Sequence, residues 1–382
     1  MNRADRARNQ KENTMRFSLV YELQMPKPWG PNTERDTYLQ ALEQIKLADE
    51  MGFDIVWSVE HHFLTEYSHC SAPEVFLSAV AQHTKNIRIG HGVVLLPFNY
   101  NHPIRVAEKV AALDIMSNGR VEFGSGRSTT SIELGGFGVN PEDSREQWEE
   151  GLEVVLKAWK DAPLKHQGKH LTVPERDVWP KPLQKPHPPL WMAGTSPDTF
   201  KVAGNKGLGV LCFQLTPDGV ALCAKNYRAA IAHAEPIGGF VNNEFASLAM
   251  TLCGHEPDTA DMGAEAARWF MQKIVEILIG LRNSETNSYA YLKDMIDMAH
   301  QPKDASLADI DAHPFVVSGT PERCIQKLEF IQSLGVDQFI CFMQMGRIPH
   351  ARVMQSIRHY GEQIIPHFKR GAAGARAQAL GG

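Results

Sequence analysis

The chain of 382 residues has no apolar run approaching the roughly 20 residues that a membrane-spanning helix requires. It has no C-x-x-C pair either, because its six cysteines are scattered, which argues against a disulfide framework or a zinc cluster and for a reducing compartment. A basic excess is also absent: the formal net charge is −5, which gives no electrostatic reason to expect nucleic acid or an anionic membrane as a partner. We therefore expect a cytoplasmic protein.

The two ends of the chain differ in composition from the rest. Residues 1–14 are polar and lack the apolar core of a secretory signal, so we expect a disordered leader, with Met15 as an alternative start. Residues 371–382 are rich in glycine and alanine, and we expect a flexible tail there. Residues 15–370 contain no flexible linker and are predicted to form a single domain.

Strand-like apolar runs alternate with amphipathic helical patterns along most of this domain. Glycines end several helices directly before the next strand, as at Gly52, Gly207 and Gly335. Such alternation is typical of a parallel sheet, and about eight strand–helix units favour a closed (β/α)8 barrel of the TIM type over an open sheet. The predicted strands are residues 17–21, 53–58, 87–96, 121–125, 190–193, 208–213, 246–252 and 336–342.

Two segments interrupt the alternation. Residues 161–189 are rich in proline, lysine and histidine, and we expect a surface excursion before the fifth strand. Residues 254–313 are helical in pattern and form an insertion between the predicted strands 7 and 8. Insertions at the carboxyl ends of barrel strands often become lids over an active site. A set of peripheral helices without a role at the site is an alternative of equal weight. For a lid, Trp269 and Tyr291 are the candidate substrate-binding residues.

A cluster of titratable residues, Glu60-His61-His62, follows the second predicted strand. The carboxyl ends of barrel strands open into the cleft where the chemistry takes place. Neighbours on extended chain point to opposite faces, so His61 and His62 cannot easily share one metal ion. We interpret His61 as a catalytic or cofactor-facing residue, with a structural hydrogen-bonding role for both rings as the alternative. A neutral imidazole with the ordinary pKa of about 6.5 can accept and return a proton at neutral pH.

Groups suited to an anion follow the fourth and fifth predicted strands. Gly124-Ser125-Gly126-Arg127 lacks the third glycine of a dinucleotide fingerprint, but its small residues allow a flat ligand to approach beside the arginine. Arg145 begins a helix, where its positive charge is unfavourable beside the positive end of the helix dipole, so we expect an anion near it. Pairing with the preceding acidic residues, Glu142 and Asp143, is the alternative to a bound anion. Gly194-Thr195-Ser196-Pro197-Asp198-Thr199 is typical of a helix start, which presents free N–H groups and hydroxyls. Together these groups predict a phosphomonoester pocket.

The third predicted strand ends in Gly90-His91-Gly92-Val93. Glycines within a strand indicate a close approach of the backbone to a ligand, with a packing bend as the alternative. A dianion pocket, a glycine-rich backbone and a histidine around one barrel mouth suit a phosphorylated planar cofactor.

Nine segments carry a resemblance to a known family: residues 17–21, 60–63, 90–97, 102–105, 113–120, 123–127, 143–145, 195–199 and 319–324. In this order they resemble the bacterial luciferase-like flavin monooxygenases, from about residue 15 to about residue 368. The resemblance implies a barrel that binds FMN, with reduced FMN delivered by a separate flavin reductase. Oxygen then forms a flavin peroxide that oxidises a small organic substrate.

Carried over position by position, the resemblance makes His61 the active-site histidine beside the flavin and Glu133 an acidic residue near the substrate. It matches Gly92-Val93 to a non-prolyl cis peptide against the isoalloxazine ring. Gly126 stands where luciferase has a reactive cysteine, so light emission is not implied. The predicted cofactor-binding residues are Tyr21, His91, Gly92, Val93, Arg127, Arg145, Gly194, Thr195, Ser196 and Thr199.

The leading hypothesis is a monooxygenase that uses reduced FMN and O2, assembled as a homodimer or a higher homo-oligomer. One alternative is a dehydrogenase on the same fold that uses a deazaflavin or retains FMN. Another is a flavin-free structural subunit, which would lack site residues such as His61. A hydrolase is not favoured, because only Glu22, Glu60 and Glu133 stand near strand ends, and no metal site is predicted.

Overall fold

The structure is a computed structural model that describes residues 15–282, 286, 289 and 305–369. The predicted leader (1–14), the predicted tail (371–382) and Tyr291 lie outside the described residues. Within the described part of the chain, no helix combines the length and the apolar character needed to cross a membrane.

Eight parallel strands close into a barrel, which confirms the predicted fold class. Each of the eight pairs with the next barrel strand along the chain, and the last pairs with the first, where Phe17 lies opposite Phe339. The strands in chain order are β1 (Arg16–Tyr21), β2 (Ile55–Ser58), β3 (Arg88–Leu95), β4 (Val121–Gly126), β5 (Leu164–Gln167), β6 (Thr172–Arg176), β7 (Leu190–Gly194), β8 (Gly209–Cys212), β9 (Phe245–Cys253), β10 (Val316–Gly319) and β11 (Gln338–Phe342). The barrel consists of all of these except β5, β6 and β10.

Helices cover the outside of the barrel, so the strands are buried on both faces and read as apolar runs. All nine residues of β9 are buried, for example. Gly52, Gly207 and Gly335 have positive φ, the conformation in which helices commonly end before the next strand. The described helices are α1 (Thr33–Glu50), α2 (Pro73–His83), α3 (Pro103–Met116), α4 (Ser131–Gly136), α5 (Ser144–Ala158), α6 (Pro197–Asn205), α7 (Pro217–Ile231), α8 (Thr259–Arg282), α9 (Leu307–Ala312), α10 (Pro321–Ser333) and α11 (His350–His359), which continues as a π-helical turn (Tyr360–Ile364).

Three features differ from the predicted alternation. The excursion 161–189 contains an antiparallel hairpin of β5 and β6. β10 extends the sheet beside the outer half of β9, where Val316 lies opposite Met250. α4 is a helix of six residues after β4. β10 and α4 are too short for a periodic pattern to show in the sequence. The insertion 254–313 contributes α8 and α9, in agreement with its predicted helical pattern.

Candidate active site

A cavity opens at the carboxyl ends of the barrel strands, and His61 lies in its wall between two carboxylates. Nδ1 of His61 is hydrogen-bonded to Oε1 of Glu133 at 3.0 Å, and Nε2 lies 3.7 Å from Oε2 of Glu22. Burial alone would lower the pKa of His61, but the charges of Glu133 and Glu22 outweigh it and raise the pKa to about 9. His61 is therefore an imidazolium at neutral pH. This corrects the expectation of a neutral ring with the ordinary pKa.

Glu133 orients the His61 ring from behind. It is fully buried and is not part of the cavity wall, so it does not have the predicted place beside a substrate. Its carboxylate accepts hydrogen bonds from His61, from the backbone N–H of His62 at 2.9 Å, and from the hydroxyls of Ser128 at 3.1 Å and Thr130 at 2.7 Å. Burial would raise the pKa of Glu133, but the charge of His61 and these donors hold it below its usual range.

We expect Glu133→Gln to lower the pKa of His61 by about one unit or more, because a neutral amide of the same shape replaces the nearest opposite charge. NMR titration of the His61 ring measures the shift, and a His61→Asn variant assigns the signal. Glu43→Gln removes an exposed carboxylate that pairs with His350, so it should leave the titration unchanged. An unaltered His61 pKa in Glu133→Gln would show that Glu133 does not maintain the imidazolium.

Glu22 is the other carboxylate beside His61, and its contact with His61 was not predicted. It lines the cavity although its side chain is buried, with 5% of the residue exposed. Burial raises its pKa to about 7, the charge of Glu133 adds to the rise, and the charge of His61 opposes it. The hydroxyl of Tyr67 donates to Oε1 of Glu22 at 3.4 Å. Oε2 has no hydrogen-bond partner among the described residues.

His62 points away from the cavity, as the alternation along extended chain predicts. Its ring packs against Phe137, with centroids 4.8 Å apart, and stacks near Tyr100 at 6.2 Å. Nε2 of His62 lies 3.3 Å from Glu60, whose carboxylate also accepts from the backbone N–H of Leu95 at 2.8 Å. His62 and Glu60 therefore hold the loop after β2 against the end of β3.

Arg127 and Arg145 line another part of the cavity, at the end of β4. Nη1 of Arg127 donates to Oγ of Ser144 at 3.0 Å. Arg145 is the second residue of α5 and is exposed. Asp143, one of the acidic residues offered as its partner, instead accepts from Asn140 at 3.0 Å.

The N-terminus of α6 faces the same part of the cavity, where Thr195 and Thr199 are in the wall. Ser196 is the N-cap: its Oγ accepts from the backbone N–H of Thr199 at 3.4 Å and lies 2.9 Å from the Thr199 hydroxyl. Ser196 is not in the wall itself and supports the loop. A Cβ at Gly194 would stand 2.5 Å from Thr199, so only glycine allows this close approach. The strand end, the hydroxyls and the helix start thus meet as the sequence predicts.

Gly92 and Val93 form the wall between His61 and the arginines, and the peptide bond joining them is cis, as the resemblance implies. A Cβ at Gly126 would stand 2.6 Å from Cγ2 of Val93. Glycine at position 126 therefore allows the side chain of Val93 to pack directly against β4, and Gly92, Val93 and Gly126 together form one stretch of the cavity wall.

Tyr21 and His91, both predicted to bind the cofactor, face away from the cavity. Tyr21 packs toward Phe76 of α2, with ring centroids 6.4 Å apart, and His91 lies 6.2 Å from Phe123. Side chains along a barrel strand alternate between its inside and its outside, and these two point to the helix layer. Burial lowers the pKa of His91 to about 4, in keeping with a neutral ring packed between layers.

Helix α8 of the insertion forms an apolar wall of the cavity through Phe270, Ile274, Ile277 and Leu278. Trp269, the predicted substrate residue, is not in that wall and lies beneath Lys273, whose Nζ is 5.9 Å from the ring centroid. Consecutive residues on a helix point about 100° apart, so the neighbouring Phe270 takes the predicted place of Trp269.

Two residues, Lys273 and Tyr289, fasten the insertion to the barrel mouth. Nζ of Lys273 pairs with Glu66, in the loop after β2, at 3.0 Å. The buried Tyr289 lies 3.1 Å from Oγ of Ser144, and its ring lies beneath the guanidinium of Arg127, 4.3 Å from the centroid. The insertion is thus joined both to the loop that carries His61 and to the residues around the arginines.

We expect Phe270→Ala to lower kcat/KM for apolar substrates by about tenfold or more, because it removes a buried ring that would contact them. FMN affinity should change much less. Trp269→Ala is the matched control, since it removes a large ring one position away, outside the cavity wall. Turnover of a panel of apolar aldehydes, ketones and alkenes measures the difference. Equal effects of the two substitutions on selectivity would show that Phe270 does not contact substrate.

The fold and the site together define a (β/α)8-barrel enzyme whose cavity wall contains a protonated histidine, His61, and two arginines, Arg127 and Arg145. The sequence model of the luciferase-like monooxygenases matches residues 16–338, and the chain belongs to this family.

Named relatives agree with this assignment, and a solved structure shares the fold. The chain is 26% identical over 371 residues to the oxygenase component of the flavin-dependent trigonelline monooxygenase of Acinetobacter baylyi, covering 93% of this chain and 96% of the relative. It is 28% identical over 332 residues to the limonene 1,2-monooxygenase of Rhodococcus erythropolis, covering 86% and 81%. The monooxygenase RslO1 of Streptomyces bottropensis has a TM-score of 0.77 at 24% identity, with 93% and 100% covered.

Two further solved structures share the fold, and their names mention two different cofactors, FMN and coenzyme F420. The oxygenating component of 3,6-diketocamphane monooxygenase from Pseudomonas putida, in complex with FMN, has a TM-score of 0.72 at 18% identity, covering 92% of this chain and 98% of that chain. The coenzyme F420-dependent tetrahydromethanopterin reductase of Methanopyrus kandleri has a TM-score of 0.66 at 21% identity, covering 93% and 99%. At these identities the likeness shows the fold alone.

Proposed function

We propose that the chain is the oxygenase of a two-component monooxygenase, which takes reduced FMN from a separate flavin reductase and uses O2 to oxidise a small organic substrate. The observation that carries the proposal is the meeting of Arg127, Arg145 and the start of α6 with His61 around one cavity. Membership of the family and the relative that is an oxygenase component support it. Assembly as a homodimer or higher homo-oligomer stays a prediction.

The residues present fit FMN at both of its ends. The guanidinium groups of Arg127 and Arg145 match a phosphate in charge and geometry, and Thr195, Thr199 and the N-terminus of α6 add hydroxyl and N–H donors. The planar ring system would lie along the part of the cavity wall that Gly92, Val93 and Gly126 form. Reduced FMN, when bound, supplies the electrons with which O2 is activated.

The chain itself supplies a proton and a dry cavity. Because Nδ1 of His61 is engaged by Glu133, the proton available to the cavity is the one at Nε2. With a pKa of about 9, this imidazolium acts as a proton donor at neutral pH and can take the proton back afterwards. The apolar side chains of α8 in the cavity wall would limit the access of water, which protects reactive species from side reactions.

A dehydrogenase that uses a deazaflavin is the second candidate, because one fold relative uses F420. Anaerobic titrations with reduced FMN, reduced riboflavin and reduced F420, followed by protein fluorescence, separate the two. We expect FMN to bind much more tightly than riboflavin and more tightly than F420, and the loaded protein to consume oxygen with a flavin reductase present. Tightest binding of F420 would favour the dehydrogenase, and binding of none of the three would contradict both.

A further inference from the structure

One corner of the cavity combines a buried carboxylate with two aromatic rings. Glu22, Tyr67 and Phe270 all line the cavity. The rings of Tyr67 and Phe270 are nearly parallel, with centroids 5.9 Å apart and an interplanar angle of 17°. A carboxylate beside aromatic rings is the chemistry with which proteins bind organic cations.

The charges around this corner leave one carboxylate in excess. His61 is hydrogen-bonded to Glu133 at 3.0 Å and is farther from Glu22, at 3.7 Å, so Glu133 compensates most of its charge. Oε2 of Glu22 has no hydrogen-bond partner within the described chain. Arg127 and Arg145 lie near the end of β4, separated by β2 and β3 from the end of β1, where Glu22 lies. The corner is therefore acidic, and a buried acceptor in it is unsatisfied.

The surroundings of the corner are apolar. Met192, Phe213, Leu248 and Ile274 are in the same cavity wall. Apart from His61, the basic residues of the described wall are the two arginines that the proposed phosphate would engage. An anionic substrate would have to leave water for a corner with a surplus carboxylate, where the one nearby cation, His61, is already paired with Glu133, and this costs free energy.

We propose that the substrate end of this cavity selects an organic cation: a small compound with a positively charged nitrogen on a mainly apolar body. The nitrogen would lie against Glu22 and the rings of Tyr67 and Phe270, and the apolar body along α8. The inference rests on the proposed function, in that the cofactor takes the part of the cavity at the arginines.

Cation binding at Glu22 is linked to proton release. Burial raises the pKa of Glu22 to about 7, so near neutral pH part of the protein carries the protonated form. A cation favours the ionised form, so its affinity should rise as the pH rises through about 7 and level off above it. The titratable groups around Glu22 are His61, Tyr67, Cys70, Glu60 and Glu133. Among them, the pKa is raised for His61, Tyr67 and Cys70 and lowered for Glu133, so these four groups do not titrate near pH 7.

A matched pair of ligands tests the inference. Phenyltrimethylammonium carries a nitrogen that cannot lose a proton, and tert-butylbenzene is its uncharged isostere. Ligand-observed NMR titrations of the full chain, with and without FMN, give both affinities on either side of the Glu22 pKa of about 7. We expect the cation to bind roughly tenfold more tightly than the isostere above that pH, and the preference to shrink below it.

Variants locate the preference. Glu22→Gln should remove the preference for the cation and leave binding of tert-butylbenzene unchanged, whereas Glu34→Gln, which removes an exposed carboxylate, should retain it. Equal binding of the two ligands by the unmodified chain at every pH would overturn the inference without any variant, and so would a full preference that survives in Glu22→Gln. If either result is obtained while the chain still binds FMN, only this inference is contradicted. If the chain does not bind FMN, that result counts against the proposed function.

Discussion

Replacing His61 by alanine is expected to lower substrate oxidation by about 10²–10⁴-fold, the loss typical of a missing acid–base group. The methyl side chain cannot supply the proton that the imidazolium holds at Nε2. The fold and flavin binding should persist, because Glu133 keeps its bonds from Ser128, Thr130 and the backbone of His62. Steady-state turnover, with flavin affinity and thermal stability recorded on the same preparations, measures the effect.

His62→Ala is the matched control for this experiment. The two histidines are adjacent, but His62 packs against Phe137 outside the cavity, so its loss should reduce turnover much less. A larger loss in His62→Ala than in His61→Ala would show that the wrong imidazole has been assigned to the chemistry.

Arg145→Ala is expected to weaken FMN binding by about 1.5–3 kcal/mol, or roughly 10–150-fold, as for a lost hydrogen bond to a charged group. Riboflavin, which has no phosphate, should bind the variant and the unmodified chain equally. The substitution should not disturb the fold, since Arg145 is exposed at the start of α5. Titrations with both flavins measure the difference.

Arg35→Ala controls for the loss of one positive charge, because Arg35 is an exposed residue of α1 that pairs with Asp36. It should leave the affinity of both flavins unchanged. Arg127→Ala should also weaken FMN binding, with an added contribution from its lost bond to Ser144 and its contact with Tyr289. Equal affinity of the unmodified chain for FMN and riboflavin would remove the phosphate site.

The barrel was predictable because its signal is repeated along the chain. Apolar runs, helix-ending glycines and helix-start motifs recur along the chain, so an error of a residue or two at one boundary does not change the fold. The same repetition placed the ends of β2, β4 and β7 at one mouth, and hence predicted that His61, Arg127 and Thr195 would meet there.

The direction of single side chains was less predictable. Tyr21 and His91 were assigned by position in a motif, but a strand turns alternate residues outward, and these two face the helices. Trp269 and Phe270 are both aromatic, and only the rotation of α8 decides which one reaches the cavity. A pattern that is correct to within one residue cannot decide such cases.

The electrostatics of the site depend on contacts between distant segments. Glu22 and Glu133 are 111 positions apart in the sequence; both were expected near strand ends, but the sequence does not show that both contact His61. Their charges change His61 from a group that titrates near neutrality into one that stays protonated. The place of His61 at the barrel mouth was predictable, but its protonation state required the packed structure.

The reaction of the FMN-loaded chain with oxygen tests the central proposal most directly. An anaerobic mixture of the chain and reduced FMN is mixed with oxygenated buffer in a stopped-flow instrument, and the visible absorbance of oxidised FMN is followed. We predict that oxidised FMN returns more slowly than from free reduced FMN, at a rate that changes in His61→Ala and on addition of organic substrate. Return at the rate of the free flavin, unaffected by the chain, would contradict the proposal that this protein is an FMN-dependent oxygenase.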